Sequence, residues 1–213
     1  MQIAIMLYPQ MTALDAVGPY EVLSRIPGAS VVWVAAAAGP VATDAGLSLV
    51  ATHAFGEVLA PAVVVVPGGR EDFAIGDAAA LDWLRAVHPR TRYTASVCTG
   101  ALVLGAAGLL RGARATTHWY KLAQLRRYGA RPVRRRVVRD GRVVTAAGVS
   151  AGIDMGLYLA RRLAGTLVAK VIQLGIEYDP RPPFRGGSPR RAGWLTRQIA
   201  ALAMRRYYRA RGE

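Results

Sequence analysis

The sequence predicts an α/β sandwich, a mostly parallel sheet flanked by helices. Three observations predict it. Apolar runs of strand length, such as QIAIMLY at 2–8 and AVVVVPGG at 62–69, alternate with segments of helical period. The alternation runs from residue 2 to about residue 178 without a linker, the pattern of repeated strand–helix–strand units. Small and turn-forming residues stand where two of the strands would end, Pro67-Gly68-Gly69 and Cys98-Thr99-Gly100.

Each element has its own justification. Strand 2–8 is followed by 13–26, which carries Leu14, Val17 and Val22/Leu23 at helical spacing. Residues 30–37 form a second strand, and 39–55 hold turn residues between short β-like pieces, a hairpin excursion. After strand 62–69 come a helix at 78–87, a strand at 92–97 and a helix at 99–108. A strand-like piece at 113–119 leads to a helix at 120–128, closed by Gly129 as C-cap. Residues 132–148 read as two strands around Asp140-Gly141, a strong hairpin signal. Ser150 is the expected N-cap of a helix at 150–165, and another helix covers 166–178. The Pro-, Gly- and Arg-rich stretch 179–191 reads as a linker before a helix from about Trp194 to Arg209. The division is an α/β domain over 1–184, then a basic linker and C-terminal helix over 185–213.

Composition narrows the function classes. The chain is 53% apolar, yet no stretch reaches the roughly 18 uninterrupted apolar residues of a membrane span. The amino terminus lacks the basic start of a signal peptide, and one cysteine makes neither an internal disulfide nor a cysteine-based zinc site. A cytoplasmic protein that does not span a membrane is expected. The three histidines, His53, His88 and His118, have no metal-ligand spacing, so no metal is expected. The net charge of +15 is lopsided: residues 1–110 carry −3 and residues 111–213 carry +18, with Arg supplying 26 of 28 basic residues. The basic half is either a solvated surface or an anion-binding face, and at most weak, non-specific polyanion binding is expected of it.

In an open α/β sheet, ligands bind beyond the carboxyl ends of the strands. Asp15, the glycine pair Gly68-Gly69 and Cys98 all fall there. A cysteine opening a helix sees unpaired N–H groups that lower its pKa, and the small neighbours in SVCTG allow a strained turn. The competing reading of Cys98 is a buried, inert thiol. Asp15 among Leu14, Ala16 and Val17 is either a proton-sharing acid beside that thiol or the N-cap of a helix over 16–25. GVSAG at 148–152 fits a serine-hydrolase elbow, but every histidine precedes Ser150, whereas that chemistry needs a later one. A glutaminase would require a His-x-Glu after its cysteine, and His118 is followed by Trp119 and Tyr120.

Five stretches carry a resemblance: LDAVGPYEVL (14–23), VVVPGG (64–69), SVCTGALVLGAAGLLRGARATTHW (96–119), VVTAAGVSAGIDMGLYL (143–159) and EYDPRPPF (177–184). Through them the chain resembles the ThiJ/PfpI superfamily, a class I glutamine amidotransferase-like group, and within it the isonitrile hydratase branch. Cys-Thr-Gly in place of Cys-His-Gly separates it from the protease-like branches. The resemblance implies a flavodoxin-like sandwich with a nucleophile elbow at Cys98, usually a homodimer, and no cofactor. It implies a carbon–nitrogen hydro-lyase that hydrates an isonitrile, a small-molecule substrate, to an N-substituted formamide. Cys98 would be the nucleophile, Asp15 the acid and Thr99 the third essential group. The backbone N–H of Gly69 would face the reacting centre together with that of Thr99. His118 matches a histidine near the elbow in several branches, either an accessory site residue or a structural hydrogen-bonding group. The same superfamily implies two alternatives: glyoxalase- or deglycase-like chemistry on reactive carbonyls, and a non-catalytic ligand sensor like those of AraC-type regulators. The short tail after Pro189 has no room for a two-helix DNA reader, which favours a stand-alone enzyme.

Overall fold

A computed structural model describes residues 1–209. One sheet of seven strands forms the centre of the first compact unit, Met1–Ile176. Its strands are β1 (Gln2–Met6), β2 (Ser30–Ala35), β5 (His53–Ala54), β6 (Val63–Val66), β7 (Tyr93–Ser96), β10 (Val137–Asp140) and β11 (Val143–Ala146). Their spatial order is β10-β11-β7-β6-β1-β2-β5. All neighbours run parallel except β10 against β11, the hairpin around Asp140-Gly141. The predicted excursion is a separate antiparallel hairpin, β3 (Gly39–Ala42) with β4 (Ser48–Ala51). Val63 to Val66 are fully buried, as expected of a strand with both faces covered.

The chain moves from β1 outward to β2, then returns to place β6 on the other side of β1. Such a reversal is where open α/β sheets place their ligand crevice, here at the carboxyl ends of β1, β6 and β7. Helix α1 (Ala13–Leu23) follows β1 and packs on α5 (Ala151–Ala164). Helices α3 (Ala78–Val87) and α4 (Gly100–Ala106) flank β7 in sequence, and α6 (Thr166–Gly175) begins after Gly165, where φ is +94°.

Three segments differ from their expected form. A five-residue helix, α2 (Glu71–Ile75), directly follows the Pro-Gly-Gly turn and is too short to leave a periodic signature. Residues Leu122–Tyr128 form a 3₁₀ helix that ends at Gly129 with φ +73°. Leu122, Leu125 and Tyr128 are its core contacts, and three-residue spacing is the repeat of that tighter helix. The strand-like piece at 113–119 shrinks to β8 (Arg114–Ala115), paired with β9 (Arg131–Pro132). Beyond Ala115 the backbone is held by side chains: the Thr116 N–H donates to Thr145 Oγ1 at 2.9 Å.

The second unit begins at Glu177 and contains α7 (Trp194–Arg209), none of whose residues is buried. No helix among the described residues is long and apolar enough to cross a membrane.

Candidate active site

Cys98 lies between β7 and α4 with φ +54°, one of three non-glycine residues with positive φ among those described. A side chain in that conformation is held by its surroundings. The Cys98 N–H donates to the Ala147 carbonyl at 2.8 Å, and its own carbonyl accepts from Thr117 Oγ1 at 2.6 Å. Gly100 completes the turn, because a Cβ there would stand 2.2 Å from the Val66 carbonyl oxygen. The sulfur-bearing turn is thus gripped by β11 and the 116–117 segment while pressed against the end of β6.

Asp15 is fully buried. Helix α1 starts at Ala13 with Thr12 in the N-cap position, so Asp15 sits in the first turn and does not cap. Pro19, four residues on, has no N–H to give its carbonyl. The Asp15 carboxylate is directed instead to the end of β6: Oδ2 accepts from the Gly68 N–H at 2.9 Å. That approach requires a glycine, since a Cβ on residue 68 would come within 2.9 Å of Asp15 Oδ2 and 2.4 Å of the Thr99 nitrogen. Oδ1 is buried without a hydrogen-bond partner.

Thr99 joins the two turns. Its Oγ1 accepts from the Gly69 N–H at 2.9 Å and donates to the Gly69 carbonyl at 3.1 Å. The N–H of Gly69, expected to face the reacting centre, is therefore engaged with the threonine hydroxyl. The structure also brings up a group that sequence reasoning passed over. The Val149 N–H lies close enough to the Cys98 sulfur to favour its charged form, as does the Thr99 N–H. Val149 belongs to the GVSAG stretch set aside as a misleading serine motif. Ser150 itself occupies the N-cap position of α5 without a side-chain capping bond; its Oγ is 3.3 Å from an Arg136 guanidinium nitrogen.

His118 lies beside the strand end that carries Val149. A Cβ on Gly148 would stand 2.8 Å from His118 Cδ2, and the ring tilts against Trp119 at 5.7 Å. Burial holds its pKa below the usual value, which keeps the imidazole neutral at pH 7.

The electrostatics make Asp15 and Cys98 one titrating unit. Burial pushes the Asp15 carboxyl up to about 7, against the pull of the Gly68 N–H and the neighbouring thiol, and the charge of Asp44 adds to the rise. Burial also pushes the Cys98 thiol well above its ordinary value, and the Asp15 charge pushes in the same direction. The expectation of a thiol acidified by a helix terminus is thus reversed in the resting site. Desolvation outweighs the few N–H groups that a seven-residue α4 presents. At neutral pH and somewhat above, the pair retains one proton to share.

An open α/β sheet, a strained cysteine elbow and a buried carboxyl at the adjacent strand end define a cysteine-elbow α/β protein. The profile of the DJ-1/PfpI family matches residues 1–162, and the chain belongs to that family. It is 46% identical over 193 residues to an isonitrile hydratase from Pseudomonas putida, a match covering 89% of this chain and 83% of that one. The solved structure of a ThiJ/PfpI family protein from Pseudomonas syringae superimposes with a TM-score of 0.93 at 41% identity, covering 97% of this chain and 87% of that one. The HTH-type transcriptional regulator CdhR of Pseudomonas aeruginosa is 30% identical over 163 residues, 75% of this chain and 48% of its own length.

Proposed function

We propose that the protein hydrates an isonitrile to an N-substituted formamide, with Cys98 as nucleophile and Asp15 as acid. The observation that carries this is the buried Asp15 carboxyl, raised to about 7 and set beside the Cys98 thiol, with Oδ1 free of other partners. The similarity to the Pseudomonas putida isonitrile hydratase supports the same reading.

An isonitrile carbon accepts both a nucleophile and a proton. In the reactive distribution of the shared proton, Asp15 is protonated and Cys98 is a thiolate. The sulfur bonds to the isonitrile carbon while that carbon takes the proton from Asp15, giving a thioimidate, R–N=CH–S–Cys98. Asp15, now a carboxylate, accepts a proton from water as the hydroxyl adds to that carbon. Asp15 passes that proton on to the nitrogen, the C–S bond breaks as the hydroxyl proton moves to the departing sulfur, and R–NH–CHO leaves with the thiol–carboxylate pair restored. The net change is R–NC plus water to the formamide, with no redox step. The N–H groups of Thr99 and Val149 offset charge at the sulfur. The Thr99 hydroxyl holds the Gly69 turn against the elbow, which keeps Gly68 on Asp15. His118 serves as a neutral wall of the site.

This reading carries a small-molecule substrate, a homodimer, a cytoplasmic location suited to a free thiol, and at most weak polyanion binding. The α/β domain over 1–184 holds every reacting group, leaving 185–213 outside the chemistry. Incubation with simple alkyl isonitriles should yield the matching formamides. No turnover across an isonitrile panel, with turnover of 2-oxoaldehydes, would replace the reading by carbonyl chemistry. No turnover of either, with ligand binding, would leave a sensor.

A further inference from the structure

A second buried charge pair stands beside the cysteine site and takes no part in the steps above. Glu71 opens α2, two residues after Gly69, and is 5% exposed. Its Oε1 accepts an ion pair from Lys121 Nζ at 2.9 Å, and the lysine side chain is 13% exposed. Glu71 Oε2 is buried without a hydrogen-bond partner. Lys121 closes a turn whose start grips the elbow: its N–H donates to the His118 carbonyl at 2.9 Å, and Thr117, one residue earlier, holds the Cys98 carbonyl. The pair therefore ties the Pro-Gly-Gly side of the crevice to the segment that anchors Cys98.

The charge inventory around the sulfur explains why such a pair matters. Asp15 faces it from α1, and Asp44 on the hairpin acts on Asp15 while accepting a hydrogen bond from Thr12 at 2.8 Å. Glu71 faces it from α2, and Tyr128 of the 3₁₀ helix also feels Glu71. Arg70 is engaged by Asp72 through bonds of 2.9 and 2.6 Å, and His118 is neutral. Two carboxylates, Asp15 and Glu71, thus act on one thiol, and Asp44 acts on Asp15. Lys121 is the cation paired with Glu71, the one of these two that no reaction step uses. A carboxylate left unpaired at that depth acts on its neighbours through a weakly screening interior.

The structure assigns Lys121 and Glu71 a positioning role: their pairing sets the charge of the cysteine site, neutralising the second carboxylate beside it so that Cys98 faces Asp15 alone. The inference rests on Cys98 being the reacting group. Its test reads the thiol directly, so a failure to turn over isonitriles leaves that test intact.

The experiment is the rate of Cys98 alkylation by iodoacetamide from pH 6 to 10 in the wild type, Glu71→Gln, Lys121→Met and the double variant. Cys98 is the sole cysteine, so the signal is unambiguous. At pH 8.5, above the Asp15 value of about 7 and well below the ordinary lysine range, Glu71→Gln should react about tenfold faster than wild type. Lys121→Met should react about tenfold slower, the effect of one unit charge across a partly buried site. The double variant should return to within about threefold of wild type. Lys121→Arg, which keeps the charge, should stay near wild type. A pair that only braces the fold would move both single variants in one direction or neither, and either result overturns the proposal. If Lys121→Met does not fold, the comparison of Glu71→Gln with the double variant decides: equal rates overturn the proposal, and a slower double variant supports it.

Discussion

Strands β7 and β11 lie side by side and parallel, and each ends in a turn that opens a helix. The two turns share a vocabulary of small residues, SVCTG and GVSAG, but not a conformation. Cys98 has φ +54° and is 6% exposed, with its backbone bonded on both sides. Ser150 has φ −63°, an ordinary helical value, and is exposed. A nucleophile elbow is a strained backbone with a buried acid beside it. The amino-acid pattern alone does not make one. The second turn has a different use: it supplies the Val149 N–H to the first turn's sulfur.

The largest effect expected of this contrast falls on the first turn. Cys98→Ser should lower isonitrile turnover by about a thousandfold or more, because a hydroxyl in the same place is far less acidic and less nucleophilic. Steady-state formamide production checks it. Near-wild-type turnover of Cys98→Ser would remove the elbow from the chemistry.

Asp15→Asn comes next. It should cost about 10² to 10⁴ in turnover, the range for a positioned general acid. The same substitution should also stabilise the fold at alkaline pH. A folded-state pKa of about 7 lies above the ordinary carboxyl value of 3.8, so the folded protein holds the Asp15 proton more tightly than the unfolded chain does. Stability from this group is intact below the unfolded pKa and declines as pH rises from about 4 to 7. Above that it is lower by up to about 4 kcal/mol, a penalty that an amide does not incur. Urea denaturation of Asp15→Asn should therefore show a gain over wild type at pH 8 that fades toward pH 4. A constant difference across that range would mean that Asp15 is not held near neutrality.

These two variants concern residues that the sequence marked, and the reason is physical. Buried strands declare themselves as Val-rich runs, and a carboxylate amid apolar residues stands out in any reading. Asp140-Gly141 fixed one hairpin by turn chemistry alone. What stayed hidden was backbone orientation and long-range pairing. Asp15 reads equally as an N-cap until the helix is seen to begin two residues earlier, at Ala13. Gly69 and Thr99 are both in recognisable motifs, but that their N–H and hydroxyl satisfy each other depends on pairing across a separation of 30 positions. Val149 contributes only an N–H, which no side-chain pattern reports. The Glu71–Lys121 pair joins a helix too short to be periodic to a 3₁₀ approach read as an ordinary helix.

A smaller pair of effects separates the two turns by backbone alone. At Cys98, where φ is positive, glycine should be tolerated better than alanine, by up to about 1 kcal/mol. At Ser150, an N-cap whose φ is already helical, glycine relieves no backbone strain, and the two variants should lie within about 0.5 kcal/mol of each other. Four variants in one denaturation series measure this. An equal glycine preference at both positions would mean that the turns do not differ in strain.

The smallest effect is expected at the second turn's hydroxyl. Ser150 makes no capping bond, and its one side-chain partner is an exposed Arg136 nitrogen at 3.3 Å, beyond the usual range for a strong hydrogen bond. Arg136 keeps its ion pair with Asp154 when that hydroxyl is gone. Ser150→Ala should therefore change stability by no more than about 0.5 kcal/mol, the scale of surface substitutions. Turnover should stay within about twofold, because the Val149 N–H that reaches the sulfur belongs to the neighbouring residue's backbone. Ser150→Cys placed in the Cys98→Ala background sharpens the point. It puts a thiol at the end of β11, but at an exposed, unstrained position with no carboxyl raised toward neutrality beside it. Its alkylation midpoint should lie below the value of a free cysteine, about pH 8.5, since the α5 N-terminus and Arg136 favour the thiolate, and it should still restore no turnover. Recovery of formamide production by that thiol would show that a cysteine anywhere along this edge suffices, and that the strain and the buried acid at Cys98 are incidental to the chemistry.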